Sequence, residues 1–95
     1  MSDGHTEIVM YATGWCPYCA RARALLQRKG AAFREIDIES AASLRQEMHQ
    51  RSGCHTVPQI FIGTTHVGGS DDLYELDAAG GLDTLLAISG APHGR

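Results

Sequence analysis

No apolar run in these 95 residues approaches the roughly 18 that a membrane-spanning helix needs. The opening Met1-Ser2-Asp3-Gly4-His5 has neither the basic nor the apolar region of a secretory signal, so the expectation is a cytoplasmic protein. A cationic excess is also missing. Eight Lys and Arg stand against eleven Asp and Glu, a formal charge of −3, which argues against nucleic acid or an acidic membrane as partner. Cysteine is scarce and odd in number: three thiols in a chain without secretory features are a poor disulfide scaffold. There is no internal repeat and no low-complexity segment. What is present, 43% hydrophobic and 20% charged residues over this length, suits one folded domain spanning residues 1–95, with a core from about 6 to 88 and flexible ends.

Glu7 to Ala12 is a short, β-branched, nearly continuous apolar run, as in a central strand buried on both faces. Pro17 suits the first turn of a helix that runs to Lys29 and stops at Gly30, with Cys19, Ala22, Leu25 and Leu26 on one inward stripe. Phe33 to Ile38 reads as a second strand. Ser40 offers an N-cap to a helix with Ala41, Leu44 and Met48 on one side, ending near Gly53. Gln59 to Ile62 forms a third strand, and Gly63-Thr64-Thr65 turns into a short fourth around His66-Val67. Ser70-Asp71-Asp72 opens a third helix with Leu73 and Leu76 inward, and Leu82, Leu85 and Leu86 mark a fourth. The order β-α-β-α-β-β-α-α predicts an α/β fold with a four-stranded mixed sheet flanked by helices.

Cys16 and Cys19 form a C-x-x-C pair at the start of the first helix. A helix N-terminus favours the Cys16 thiolate, the reactive form, and leaves Cys16 accessible. Cys19, one turn on and on the buried stripe, is the less ionised partner. Side chains three apart on a helix are close enough to join as a disulfide, so Cys16 attacks and Cys19 resolves. Two other readings remain: two small residues in a core, and half of a zinc site. The second half of such a site is lacking, since Cys54-His55 is adjacent and His5, His49, His66 and His93 form no pair at ligand spacing.

Two further segments admit double readings. In Thr56-Val57-Pro58 the proline either starts a strand in trans or follows a cis bond that turns the Val57 backbone outward, toward an extended thiol peptide. Gly69-Ser70-Asp71-Asp72 is either a Ser-capped helix start or a helix N-terminus that receives a carboxylate, with an Asp beside it for an ammonium.

With Cys16-Pro17-Tyr18-Cys19, Thr56-Val57-Pro58-Gln59-Ile60-Phe61-Ile62 and Gly68-Gly69-Ser70-Asp71-Asp72-Leu73 in the same order, the chain resembles the dithiol glutaredoxins of the bacterial type from about Glu7 to Leu86. That resemblance implies a thioredoxin-like fold, a cis peptide before Pro58 and glutathione as the reducing cosubstrate, with no metal. It implies that Cys16 is the nucleophile and Cys19 the resolving thiol. Tyr18, Thr56, Val57, Pro58, Gly69, Ser70, Asp71 and Asp72 would form the glutathione site. The implied clients are glutathionylated and disulfide-containing proteins, ribonucleotide reductases among them, reduced by a monomer.

The sequence departs from that family in three ways. Thr13 stands where a Lys is common, leaving stabilisation of the Cys16 thiolate to the helix terminus or to Arg21. Ser70 stands where relatives often carry Cys, and Cys54 is extra. Cys54 is either a loop residue without a role or a regulatory thiol beside the groove. Trp15 either packs on its loop or forms a wall of the active site, the second favoured because it adjoins Cys16. Competing functions are a glutathione-ligated iron–sulfur carrier built on Cys16 of two chains, and a redoxin fed by thioredoxin reductase.

Overall fold

The structure is a computed structural model, and it describes residues 7–89, with side chains to Leu86. The expected flexible ends lie outside these residues. Strand β1 (Ile8–Ala12) is buried along its whole length. Helix α1 (Pro17–Arg28) carries the chain across to β2 (Arg34–Asp37), which pairs parallel with β1. Helix α2 (Ala42–Ser52) leads to β3 (Gln59–Ile62), antiparallel to β1 with Tyr11 opposite Gln59. A hairpin adds β4 (Thr65–Gly68), and α3 (Ser70–Ala78) and α4 (Gly81–Ser89) close the fold. The sheet order is β2-β1-β3-β4, so the α/β fold and element order agree with the sequence reading.

Alternation along β1 divides the interior. Ile8, Met10 and Ala12 meet Cys19, Ala22, Leu25 and Leu26 of α1, Leu73 of α3, and Leu82 and Leu86 of α4. Val9 and Tyr11 face the other way, toward Ile38, Met48 and Phe61. This second layer rests on little: Met48 is the one fully buried side chain of α2. A polar network on its rim replaces apolar cover, as Arg51 donates to the Tyr11 hydroxyl at 2.7 Å, Tyr11 donates to Glu47, and the guanidinium lies 4.2 Å from the Phe61 ring centroid.

Local corrections are few. The second strand covers Arg34–Asp37, not Phe33–Ile38, because it is an edge strand paired with β1 alone. Ser40 does not cap α2; its hydroxyl donates to the Asp37 carbonyl at 2.8 Å, Ala41 takes the N-cap position without a side-chain bond, and its side chain is exposed. Gly53 ends α2 in the left-handed region, at φ +73°, donating to the His49 carbonyl at 2.7 Å. At α3 the N-cap is Gly69 instead of Ser70, and Asp72 Oδ2 accepts from the Gly69 N–H at 2.9 Å.

Candidate active site

Cys16 is the N-cap residue of α1, with extended backbone (φ −84°, ψ 124°) and Pro17 in the first helical turn. Ahead of it, β1 and β2 end together because they are parallel, and β3 begins at the same edge because it is antiparallel to β1. The Cys16 loop therefore rises between the end of β2 on one side and the Thr56–Pro58 segment on the other.

Accessibility of Cys16 is lower than the sequence suggests: the residue is 7% exposed. Its side chain lies against the cluster that holds Cys19 and Leu73, with Val57 packed at the edge. Cys19 is fully buried, and both thiols are free. Burial, the largest cause, pushes the Cys19 thiol up to about 11; a backbone hydrogen bond from Thr13 works against this, and the Cys16 thiol beside it adds to it. The Cys16 thiol thus lies beside that of Cys19, and Cys19 is held as a thiol.

The cation expected from Arg21 lies elsewhere. Arg21 extends toward α3, where Nη1 is 3.9 Å from Asp71 Oδ1 and the guanidinium sits 5.0 Å from the Tyr74 ring centroid. Arg23, which the sequence reading passed over, is the cation whose field reaches Cys19; a forked pair of bonds to Glu35 at 2.8 and 2.6 Å orients it. Its signal was present in the spacing, one turn beyond Cys19. Thr13 is buried, and its hydroxyl has no partner.

The Val57–Pro58 bond is cis. Beside it opens a cleft of about 190 Å³, lined by Tyr18, Thr56, Val57, Pro58, Gly69, Ser70, Asp71 and Asp72. The eight residues expected to hold glutathione, scattered over more than fifty positions, line this one surface. Tyr18, 54% exposed, joins the cleft to the cysteine turn. The N-terminus of α3 forms the far wall, where Ser70 is buried with its hydroxyl unpartnered. Asp72 is occupied by the cap, so Asp71, exposed and only loosely paired with Arg21 at 3.9 Å, is the carboxylate the rim presents.

Gln59 supports the cleft from beneath, and sequence reasoning treated it as a strand residue only. It is buried, donates to the Thr56 carbonyl at 3.0 Å, and its carbonyl oxygen meets His66 Nε2 at 2.7 Å. An uncharged polar residue opening an apolar strand was the available clue. Trp15 does not wall the cleft. It is 71% exposed, and its indole N–H donates to Glu39 Oε1 at 3.1 Å, which draws the ring toward the β2–α2 loop. Cys54 is half-buried, with its N–H on the Ser52 hydroxyl, and is also outside the cleft. Among the described residues, no group of three or more His, Cys, Asp or Glu is placed to hold a metal ion, and no helix is long and apolar enough to cross a membrane.

Comparison with known proteins gives a consistent set of relatives. Residues 8–67 match the Glutaredoxin family. The chain is 56% identical over 80 residues to a glutaredoxin of Pseudomonas aeruginosa, covering 84% of this chain and 95% of that one. It is 57% identical over 80 residues to glutaredoxin 3 of Escherichia coli, covering 84% and 96%. Among solved structures, a buckwheat glutaredoxin–glutathione complex superposes with a TM-score of 0.83 at 30% identity, covering 90% of this chain and 81% of that one. The solution structure of a Brucella melitensis glutaredoxin gives 0.78 at 51% identity, covering 97% and 99%.

Proposed function

This chain belongs to the glutaredoxin family, and from that premise we propose that it reduces glutathione mixed disulfides and protein disulfides through Cys16 and Cys19, with glutathione as reductant. The Cys16 thiolate attacks the glutathione sulfur of a mixed disulfide, a new S–S bond joins Cys16 to glutathione, and the client leaves as a thiolate that takes up a proton. A second glutathione thiolate then attacks the bound glutathione sulfur, releasing glutathione disulfide and the Cys16 thiolate. With a protein disulfide, Cys16 forms the mixed disulfide and releases one client thiolate. Cys19, once deprotonated, attacks the Cys16 sulfur and the second client thiolate leaves. The resulting Cys16–Cys19 disulfide is returned to the dithiol by two glutathiones, released as glutathione disulfide.

The observation that carries this reading is the cleft beside the couple. Val57 offers backbone groups to the cysteine of glutathione, flanked by Thr56 and Pro58, and Tyr18 lines the groove. The α-carboxylate of the γ-glutamyl end suits the first N–H groups of α3 at Ser70 and Asp71, and the Asp71 side chain suits its ammonium. Asp72 contributes indirectly, by holding the Gly69 N–H.

The test is turnover of a small glutathione mixed disulfide with glutathione, glutathione reductase and NADPH. Cys16→Ser should lose about a thousandfold or more, while Cys19→Ser should stay within about threefold on this substrate and lose reduction of protein disulfides. Equal loss in both variants would overturn the separate roles. Protein purified anaerobically with glutathione tests the iron–sulfur alternative: a colourless monomer keeps the oxidoreductase reading, and a brown dimer replaces it.

A further inference from the structure

The sheet order leaves Cys16 with two unlike flanks. On the β3 side lies the cleft just described. On the β2 side lie Trp15, Asp37 and Glu39, brought to the nucleophile by register: Ala12 is opposite Asp37 in the parallel pair, and the Ile38 N–H donates to the Ala12 carbonyl at 3.0 Å. Trp15 is the most exposed large apolar side chain among the described residues, at 71%. An aromatic ring this exposed is ordinarily free to turn. Here the indole N–H is tied to Glu39 Oε1, and the Glu39 backbone N–H is tied in turn to Asp37 Oδ1 at 2.9 Å. Ring and loop are thus held as a unit, one residue before the attacking cysteine.

The chemistry of this flank is specific. Asp37 and Glu39 are both exposed, and neither has a cationic partner among the described residues. Arg34 of the same strand is committed to Glu7 at 3.1 Å, and Arg23 to Glu35. An open indole face with unneutralised carboxylates at its edge attracts a cation through the ring quadrupole and by direct charge. We infer that Trp15, with Glu39 and Asp37, is a specificity-determining surface that takes a Lys or Arg side chain next to the mixed disulfide of the client.

Client chemistry fits this surface. A thiol becomes a mixed disulfide through its thiolate, and thiolates are favoured beside Lys and Arg. Cysteines that acquire glutathione therefore tend to carry a neighbouring cation, which the β2 flank receives while glutathione occupies the other side. The inference rests on the proposed reduction of glutathione mixed disulfides and names the class of client that such an enzyme prefers.

The experiment compares kcat/KM for two short glutathionylated peptides, identical except for Arg or Glu on each side of the cysteine, and for the mixed disulfide of glutathione with free cysteine. The native chain should favour the Arg peptide by about fivefold at low salt, less at high salt. Glu39→Gln retains an oxygen for the indole and removes only charge; Trp15→Leu removes the ring. Each should bring the ratio near one, and Glu39→Gln should leave the rate on the glutathione–cysteine disulfide unchanged. Glu7→Gln removes the same charge at the opposite end of β1 and should keep the preference. A native chain that does not distinguish the peptides, or a preference surviving both Trp15 and Glu39 variants, overturns the inference. Inactivity on the glutathione–cysteine disulfide would instead overturn the oxidoreductase reading, and the inference with it.

Discussion

At the scale of single residues, the two active cysteines differ through their surroundings. Cys16 ends an extended segment at a helix N-terminus; Cys19 lies one turn deeper, under α1, with no contact with water. The raised pKa of Cys19 makes a prediction whose sign is fixed. The native state holds the Cys19 proton more tightly than the unfolded chain, whose thiol titrates near its ordinary 9.0. The stabilisation is complete below that pH and is lost as pH rises through about 11. The loss amounts to no more than about 3 kcal/mol, and Tyr11, also raised by burial, adds in the same direction. Urea midpoints should therefore decline from pH 9 to pH 11 and decline less in Cys19→Ala. Equal slopes would show that the thiol titrates normally. The unequal roles of the couple were legible in the sequence, because helix position is a local property. The choice between Arg21 and Arg23 was not, since it depends on which carboxylate, Asp71 or Glu35, each guanidinium meets.

At the scale of elements, the turn from β4 into α3 bears most directly on the cleft. Gly68 has φ +114°, and a Cβ there would stand 2.4 Å from Asp72 Oδ2, the atom that accepts the Gly69 N–H. Gly68→Ala should thus strain the backbone and displace the cap together, costing about 1–3 kcal/mol. Asp72→Ala, which removes only the cap, should cost about 1 kcal/mol. In both, the KM for glutathione should rise more than kcat falls, as α3 loses its hold on the cleft. A variant with native stability and KM would remove this turn from the site. The Gly68-Gly69-Ser70-Asp71-Asp72 segment was recognisable in the sequence as a helix start. Which residue caps it was not, because Ser70 is turned into the interior and Asp72 reaches back instead.

At the scale of the whole molecule, the two faces of the sheet are unequally covered. Helices α1, α3 and α4 share one apolar layer, further tied by Lys29 Nζ, which lies 2.7 Å from Asp77 of α3 and 3.1 Å from Asp83 of α4. Helix α2 covers the other face with Met48 and the half-buried Leu44. Regions with few buried apolar contacts open at lower free energy than the global transition. Native-state hydrogen exchange should accordingly find the amides of α2 opening before those of α1 and β1, with Met48→Ala widening the gap. Uniform protection across these three elements would contradict this. Cys16 and Cys19 belong to the better-packed layer, whereas Val57 of the cleft packs against both layers.

The sequence by itself determined the order of elements, the inward stripe of α1 and the identity of the reactive pair. These follow from periodicity, from helix-start chemistry and from residues within a few positions of one another. Tertiary structure alone decided what converges. Tyr18, Thr56–Pro58 and Gly69–Asp72 meet because β3 runs antiparallel to β1 and begins where β1 ends. Trp15 leaves the cleft because the parallel β2 delivers Glu39 to the opposite flank. Cys16 is less open than its position suggests because its side chain packs onto the same layer as Cys19. Strand direction and helix rotation set those meetings, and both are fixed by contacts between residues tens of positions apart, which local sequence pattern does not encode.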